Sequence, residues 1–401
     1  MTDIDDWTSD IHIGDAEATL AAMPSDSVHM MMTSPPYFGL RDYGEDGQIG
    51  LEDSLHEYID ELVAVFDEIR RVLRPDGSAW LNLGDSYATA RRDHTGGDQV
   101  GGAPDGDYAT RDEGDLGRKN KMLVPHRVAI ALQSDGWIVR NDVTWVKPNP
   151  MPSSVKDRLN TTTEQIFHLT PEPDYYYDLD AIREAHAKST MDRGAGSEYN
   201  TRRFTAQKGK SMTQQDDVKI HPSGKNPGDV FEVTTKPFPE AHFAVYPPEL
   251  CEKPTKATCP PKVCVECGSP YEREVERESI EDAGRSDDAQ YVQSGTREEK
   301  DAHRQLGGNY QEALENRDVE MKGWQQTCDC DTDATEPGIV LDPFAGAGTT
   351  CLVAKELDRR FIGVDLNPEY VAMAQRRLGL DVHDPSLVRD DAEIGLEAFD
   401  A

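Results

Sequence analysis

Apolar residues recur at helical spacing from Leu55 to Leu73, at Leu55, Ile59, Leu62, Val63, Phe66, Ile69 and Leu73, and predict one long amphipathic helix. Short apolar runs bounded by turn residues predict strands at Ile11–Ile13, Val28–Met32 and Ser78–Leu83, with a short helix over Ala16–Met23 and a turn at Pro75-Asp-Gly77. Helical spacing returns at Val124–Ser134, and strands follow near Trp137–Val139 and Val143–Val146. Late in the chain an apolar strand at Gly338–Asp342 runs into a glycine-rich turn at Ala345–Gly348 and a helix from Thr349 to Leu357. A strand at Phe361–Asp365 and a helix near Glu369–Leu378 complete that unit. Strands alternating with helices predict an α/β sheet with its ligand at the carboxyl ends of the strands.

Three stretches break the alternation. Residues 88–117 are rich in Gly and Asp and read as a loop. Residues 185–230 are polar with few aliphatics, a composition that builds no core. Residues 261–335 form a second insertion bounded by Cys pairs.

Charge sharpens this division. The net charge is -34, from 76 acidic and 42 basic residues. Such acidity opposes binding to phosphates in dilute salt, but molar salt cuts the Debye length to about 3 Å and screens the repulsion. A chain from a very salty cytoplasm, a halophile's, is the expectation. The acid is uneven: residues 183–236 hold ten Lys or Arg against seven acids, while residues 381–401 hold seven acids and one Arg. No run of 18 apolar residues occurs, and the N-terminus lacks the basic and apolar regions of a signal peptide, so a cytoplasmic protein without a membrane partner is expected.

The first chemical motif is Ile339-Val-Leu-Asp342-Pro-Phe344-Ala-Gly346-Ala-Gly348-Thr349-Thr350. Glycines between a strand and a helix let backbone N–H groups approach a ligand, and Asp365, ending the next strand, can accept hydrogen bonds from ribose hydroxyls. The second is Thr33-Ser34-Pro35-Pro36-Tyr37. Two prolines stiffen the backbone and remove donors, so carbonyls and the Ser34 hydroxyl are left to accept from an amino group beside the flat face of Tyr37. The third is Cys264-Val-Glu-Cys267 with Cys328-Asp-Cys330, two close pairs that offer four thiolates for tetrahedral zinc. Cys251 and Cys259 are spare ligand candidates, and Cys351 lies in the helix after the glycine turn. The fourth is a basic set in the polar insertion, Arg202, Arg203, Lys208, Lys210, Lys219 and Lys225.

The first two motifs together resemble motifs I and IV of the amino-group DNA methyltransferases, in the order typical of that family's β group, where the catalytic motif comes first. Gly14-Asp15 resembles the segment whose acid contacts the cofactor adenine, and His242–Leu250 the segment that closes over methionine. Ser78–Asp85 and Thr144–Asn149 resemble the family's sheet motifs. The resemblance covers roughly residues 10–180 and 237–378. It implies a Rossmann-like, AdoMet-dependent methyltransferase sheet with circularly permuted motif order, a target-recognition insertion and a small zinc-ribbon-like insertion. The segments so divided are 1–180, a catalytic half; 181–236, target recognition; 237–260, preceding the cofactor motif; 261–335, the zinc ribbon; 336–380, the S-adenosylmethionine half; and 381–401, an acidic tail.

The implied reaction transfers a methyl group from S-adenosylmethionine to an exocyclic amine of a base in double-stranded DNA. Ser before Pro-Pro-Tyr is the form usual for cytosine-N4 enzymes, whereas Asp or Asn is commoner in adenine-N6 enzymes. No Pro-Cys dipeptide occurs, which disfavours cytosine-C5 chemistry. The resemblance implies a flipped base stacked on Tyr37, its amine held by Ser34 and the Pro35 region, and a cofactor held by Asp15, Asp342, Phe344, Gly346, Gly348, Thr349 and Asp365. No general base stands out, so the proton is expected to leave to solvent. A cognate restriction endonuclease is a candidate partner. An RNA or protein methyltransferase, or an inactive DNA-binding module, are the competing readings.

Overall fold

The structure is a computed structural model that describes residues 3–40, 45, 47–88, 116–117, 119–186, 223–236, 245–277 and 319–382. The chain divides into two compact units, one of residues 1–178, 228–271 and 328–401, the other of 179–227 and 272–327. In chain order the elements are β1 (Asp10–Ile13), α1 (Ala16–Ala22), β2 (Val28–Thr33), α2 (Leu55–Val72), β3 (Leu73–Leu83), α3 (Val124–Ser134), β4 (Ile138–Val146), β5 (Thr163–Thr170), β6 (Val230–Glu232), α4 (Glu249–Thr258), β7 (Val263–Cys264), β8 (Glu272–Arg277), β9 (Val319–Gln325), β10 (Thr335–Glu336), β11 (Ile339–Asp342), α5 (Thr349–Glu356), β12 (Arg360–Asp365) and α6 (Pro368–Leu378). In the second unit β8 and β9 pair antiparallel, and a short bridge joins Glu184 to Lys225.

The first unit is built on an eight-stranded sheet of order β1-β12-β11-β2-β3-β5-β4-β6. The five strands from β1 to β3 run parallel; β5 is antiparallel to β3, and β4 to β5. Strands late in the chain, β11 and β12, therefore lie between β1 and β2. The central strands are buried on both faces, which is why they read as largely apolar runs, with His29 the polar exception within Val28–Met32 of β2. Met31 packs into one core cluster with Leu62, Phe66 and Ile69 of α2, while Met30 and Met32 pack into the other with Leu250 of α4 and Val353 of α5. Ser54 caps α2 by accepting from Glu57 N at 3.1 Å, which satisfies one of its free amide donors.

Several expectations shift in detail. The helix ends at Val72 and β3 begins at once; the expected turn at Pro75-Asp-Gly77 survives as an irregularity in β3, where Val28 pairs with Leu73 but Met30 already pairs with Ser78. The two strands expected over 137–146 are one strand, β4, with a register shift between Val139 and Asn141. Neither β5 nor α4 is foreseen by the hydrophobic pattern. Among the described residues no helix is long and apolar enough to cross a membrane.

Candidate active site

The sheet decides what meets at its upper edge. The carboxyl ends of β1, β2, β3, β11 and β12 all open there, as ligand sites in open α/β sheets require. Because β5 runs antiparallel and β4 reverses again, the start of β5 and the end of β4 reach the same edge. Glu164 and Lys147 arrive by that route.

Beyond β2 the chain turns through Ser34-Pro-Pro-Tyr37. Tyr58 Oη donates to the Pro36 carbonyl at 2.9 Å and fixes the turn. Tyr37 Oη donates to Glu164 Oε2 at 2.9 Å, and Ser34 Oγ donates to Tyr37 Oη at 3.3 Å. Asn82 Nδ2, near the end of β3, shares its two N–H protons among Ser34 Oγ, Tyr37 Oη and Glu164 Oε2, at 3.3, 3.0 and 3.2 Å. Lys147 is ion-paired with Glu164 through Oε1. Burial, then the Glu164 charge, holds the Tyr37 phenol well above its ordinary range.

The second half of the cleft is built on β11. Asp342 is buried at the strand's end, where it accepts from Thr33 Oγ1 at 2.6 Å and from Phe344 N at 3.2 Å. Tyr246 Oη donates to its other oxygen at 3.4 Å and also bonds Thr350. Desolvation pushes the Asp342 carboxyl up to about 6. Gly346 and Gly348 adopt φ of 51° and 72°, the left-handed region that glycine enters without a Cβ clash. Asp365, ending β12, accepts from Gly346 N at 2.7 Å and from Asn367 N at 2.9 Å, and burial pushes its carboxyl up to about 6. Arg377 reaches from α6 to the Ala347 carbonyl at 2.9 Å and to Thr349 Oγ1 at 2.8 Å, pinning the turn.

Both halves line one cavity of about 410 Å³. Of the residues singled out from sequence, Asp15, Ser34, Pro35, Pro36, Tyr37, Phe344, Gly346, Thr349 and Asp365 line it. Asp342 and Gly348 stand behind that wall, the first bracing β2 against β11, the second packed where a Cβ would lie 3.0 Å from Ala374 Cβ. Asp15 also caps α1, accepting from Ala18 N at 2.9 Å. Sequence reasoning missed Asn82, Lys147 and Glu164. The first two sit inside stretches noted for the sheet alone, and nothing near Glu164 marks it.

The four paired cysteines also come together. The sulfurs of Cys264, Cys267, Cys328 and Cys330 all lie within 4.8 Å of one another. Their turn is tied to the sheet: His29 Nε2 meets the Gly268 carbonyl at 3.1 Å, His29 Nδ1 accepts from Ile339 N at 3.1 Å, and Arg74 Nη1 donates to the Cys267 carbonyl at 2.9 Å. Cys251, Cys259 and Cys351 are buried elsewhere and take no part in the cluster. Arg202, Arg203, Lys208, Lys210, Lys219 and the tail from residue 383 lie outside the described residues, as does most of 88–117. Lys225 is described and pairs with Glu184 at 3.1 Å.

A family profile described as "DNA methylase", of the N6/N4 type, matches residues 28–265 and 333–376. The type II methyltransferase M.Cfr9I of Citrobacter freundii is 33% identical over 368 residues, spanning 91% of this chain and 86% of the relative. The type II methyltransferase M.SmaI of Serratia marcescens is 31% identical, spanning 92% of this chain and 90% of its own length. The solved PvuII DNA methyltransferase (cytosine-N4-specific) overlays with a TM-score of 0.49 at 16% identity, over 96% of this chain and 89% of that one.

Proposed function

We propose that this chain, which belongs to the N6/N4 DNA methylase family, is a site-specific DNA methyltransferase that methylates the exocyclic N4 amine of cytosine in duplex DNA. The observation that carries the reading is the shared cavity, in which Ser34-Pro-Pro-Tyr37 and the Gly346 turn of β11 face one space. The neutral hydroxyl of Ser34, in place of an acid or amide, favours cytosine.

The residues present fit S-adenosylmethionine. Asp365 keeps acceptor capacity toward the cavity beyond its two backbone bonds and suits ribose hydroxyls. Phe344, Gly346 and Thr349 would hold the methionine side and Asp15 the adenine side, with Asp342 and Gly348 shaping the turn behind them. When bound, the cofactor supplies an electrophilic methyl group.

The chain's own residues position the acceptor. A base must leave the duplex stack to reach this cleft. Tyr37 offers its ring for stacking, braced by its bonds to Glu164 and Asn82. Ser34 Oγ and the Pro35 carbonyl accept from the amine, since the Pro36 carbonyl is already bonded to Tyr58. Holding the nitrogen in line with the methyl supplies much of the acceleration.

The cysteine cluster fits one structural zinc ion, for which tetrahedral ligation at about 2.3 Å puts sulfurs roughly 3.8 Å apart. Cys264, Cys267, Cys328 and Cys330 would hold it, in a ribbon closed by β7 and β10. The wider reading includes permuted motif order, target recognition by residues 181–236, a cytoplasmic location, a salty cell and, as in type II systems, a cognate endonuclease.

The test is methylation of unmodified DNA at low and at molar salt, followed by mass spectrometry of the nucleosides, with Ser34→Ala alongside. N4-methylcytosine absent from the variant is the expected result. N6-methyladenine would overturn the cytosine assignment, and an unmethylated product in every salt would overturn the DNA substrate.

A further inference from the structure

Methylating an amine releases a proton, and the cleft holds a chain of groups that points one way. Ser34 Oγ donates to Tyr37 Oη at 3.3 Å, and Tyr37 Oη donates to Glu164 Oε2 at 2.9 Å. Asn82 Nδ2 lies within hydrogen-bond reach of all three oxygens, at 3.3, 3.0 and 3.2 Å, and shares its two N–H protons among them. A donor in that place occupies lone pairs and leaves each hydroxyl proton to turn onward, so it sets the direction of the chain toward Glu164. Lys147 is ion-paired with the other carboxylate oxygen and holds the side chain in place. Tyr37, held protonated by burial, can hand on a proton only as it takes one. Such hydrogen bonds are commonly long in unliganded enzymes and tighten around the substrate.

We infer that Glu164 is the terminal acceptor for the amine proton, reached through Ser34 and Tyr37, with Asn82 and Lys147 as its positioning residues. The inference rests on the reading of the cleft as a base-amine methylation site. As the amine nitrogen bonds the methyl carbon, the methyl–sulfur bond breaks and its electron pair stays on sulfur. One N–H bond breaks, and its proton passes to Ser34 Oγ as the Ser34 proton passes to Tyr37 Oη and the Tyr37 proton to Glu164. The products are a neutral methylamino base, both hydroxyls restored, a neutral sulfide and a protonated Glu164. The carboxyl then releases the proton to solvent.

The experiment uses the full-length protein, saturating S-adenosylmethionine and a DNA that the wild type is first shown to methylate. Single-turnover rates are measured. Glu164→Gln is expected to slow transfer by about 100-fold, the usual scale of general-base catalysis. Its affinity for S-adenosylmethionine should stay within about threefold, because Glu164 lies on the amine side of the cleft. Glu164→Asp, which keeps a carboxylate, should recover part of the lost rate. Tyr37→Phe keeps the stacking ring but breaks the chain, and should be slowed on a similar scale with Glu164 in place.

A Glu164→Gln rate within threefold of wild type would overturn the relay. Should Glu164→Gln fail to fold, Tyr37→Phe decides alone: a wild-type rate there refutes the path. A wild type that methylates no DNA overturns the functional reading instead, so the two failures are distinct.

Discussion

Gly84→Ala isolates the Tyr37 ring from every other part of the cleft. A Cβ at position 84 would lie 2.5 Å from Tyr37 Cε2, 3.0 Å from Cδ2 and 3.3 Å from Cζ. Unbonded carbons settle at about 3.5–4.0 Å, so the ring must retreat by about 1 Å. The ring is not free to do so, because its hydroxyl is held 2.9 Å from Glu164 and 3.0 Å from Asn82, and both partners sit on strands within the sheet. Overpacking of this kind typically costs about 1–3 kcal/mol, a fall of several degrees in melting temperature. The larger effect falls on the chemistry: a displacement of about 1 Å in a positioned group can cost about 100-fold in rate. Gly346 and Asp365 are untouched, so S-adenosylmethionine affinity should be unchanged. Single-turnover methylation, calorimetric binding of S-adenosylmethionine and a thermal melt separate the three quantities. A variant that methylates at the wild-type rate would show that the ring's place does not govern the reaction and would refute the reasoning.

Two other perturbations test the parts around the cleft. If the cysteine cluster holds the proposed zinc, the wild type should carry about one equivalent by elemental analysis and Cys330→Ser should lose it and melt at a lower temperature; a wild type without zinc would overturn the proposed site, and wild-type metal content in the variant would remove Cys330 from the ligand set. The pH dependence of stability should be shallow between pH 4 and 6 because two trends oppose: burial pushes Asp342 and Asp365 up to about 6, so their contribution is full below about pH 4 and is lost as pH rises to about 6. Burial pushes His29 and His168 down to about 4 and about 3, so theirs is present above about pH 6.5 and is lost as pH falls. Asp342→Asn removes one falling component, and denaturant melts should then show stability rising from pH 4 to 6.5; an unchanged profile would mean that Asp342 is not the titrating group.

What the sequence discloses of this site divides along the sheet. The parallel half is legible, because strands buried on both faces read as Val28–Met32 and Ile339–Leu341, and each ends in residues whose chemistry is local: two prolines, or glycines at positive φ. Of the antiparallel half only β4 is legible, as two short strands. β5 reads Thr-Glu-Gln-Ile-Phe-His-Leu-Thr, with polar positions that dilute any apolar period. Those positions are spent on tertiary partners: His168 stacks on Trp80 with centroids 4.2 Å apart, Gln165 donates to Asp142 at 2.9 Å, and Glu164 meets Tyr37 across 127 residues of chain. Helix α4 hides for a different reason, since it carries Pro254 inside and is held by burial of Leu250, Cys251 and Ala257 rather than by propensity. On the proposed reading of the cleft the division is also functional. Cofactor binding and amine acceptance would draw on turns whose local backbone a short motif can specify, with Ser34 and Asp365 carried on them. Charge and proton placement use single side chains, Lys147 and Glu164, brought to the edge by strand reversal, and a carboxylate that acts only through its three-dimensional neighbours leaves no local pattern to read.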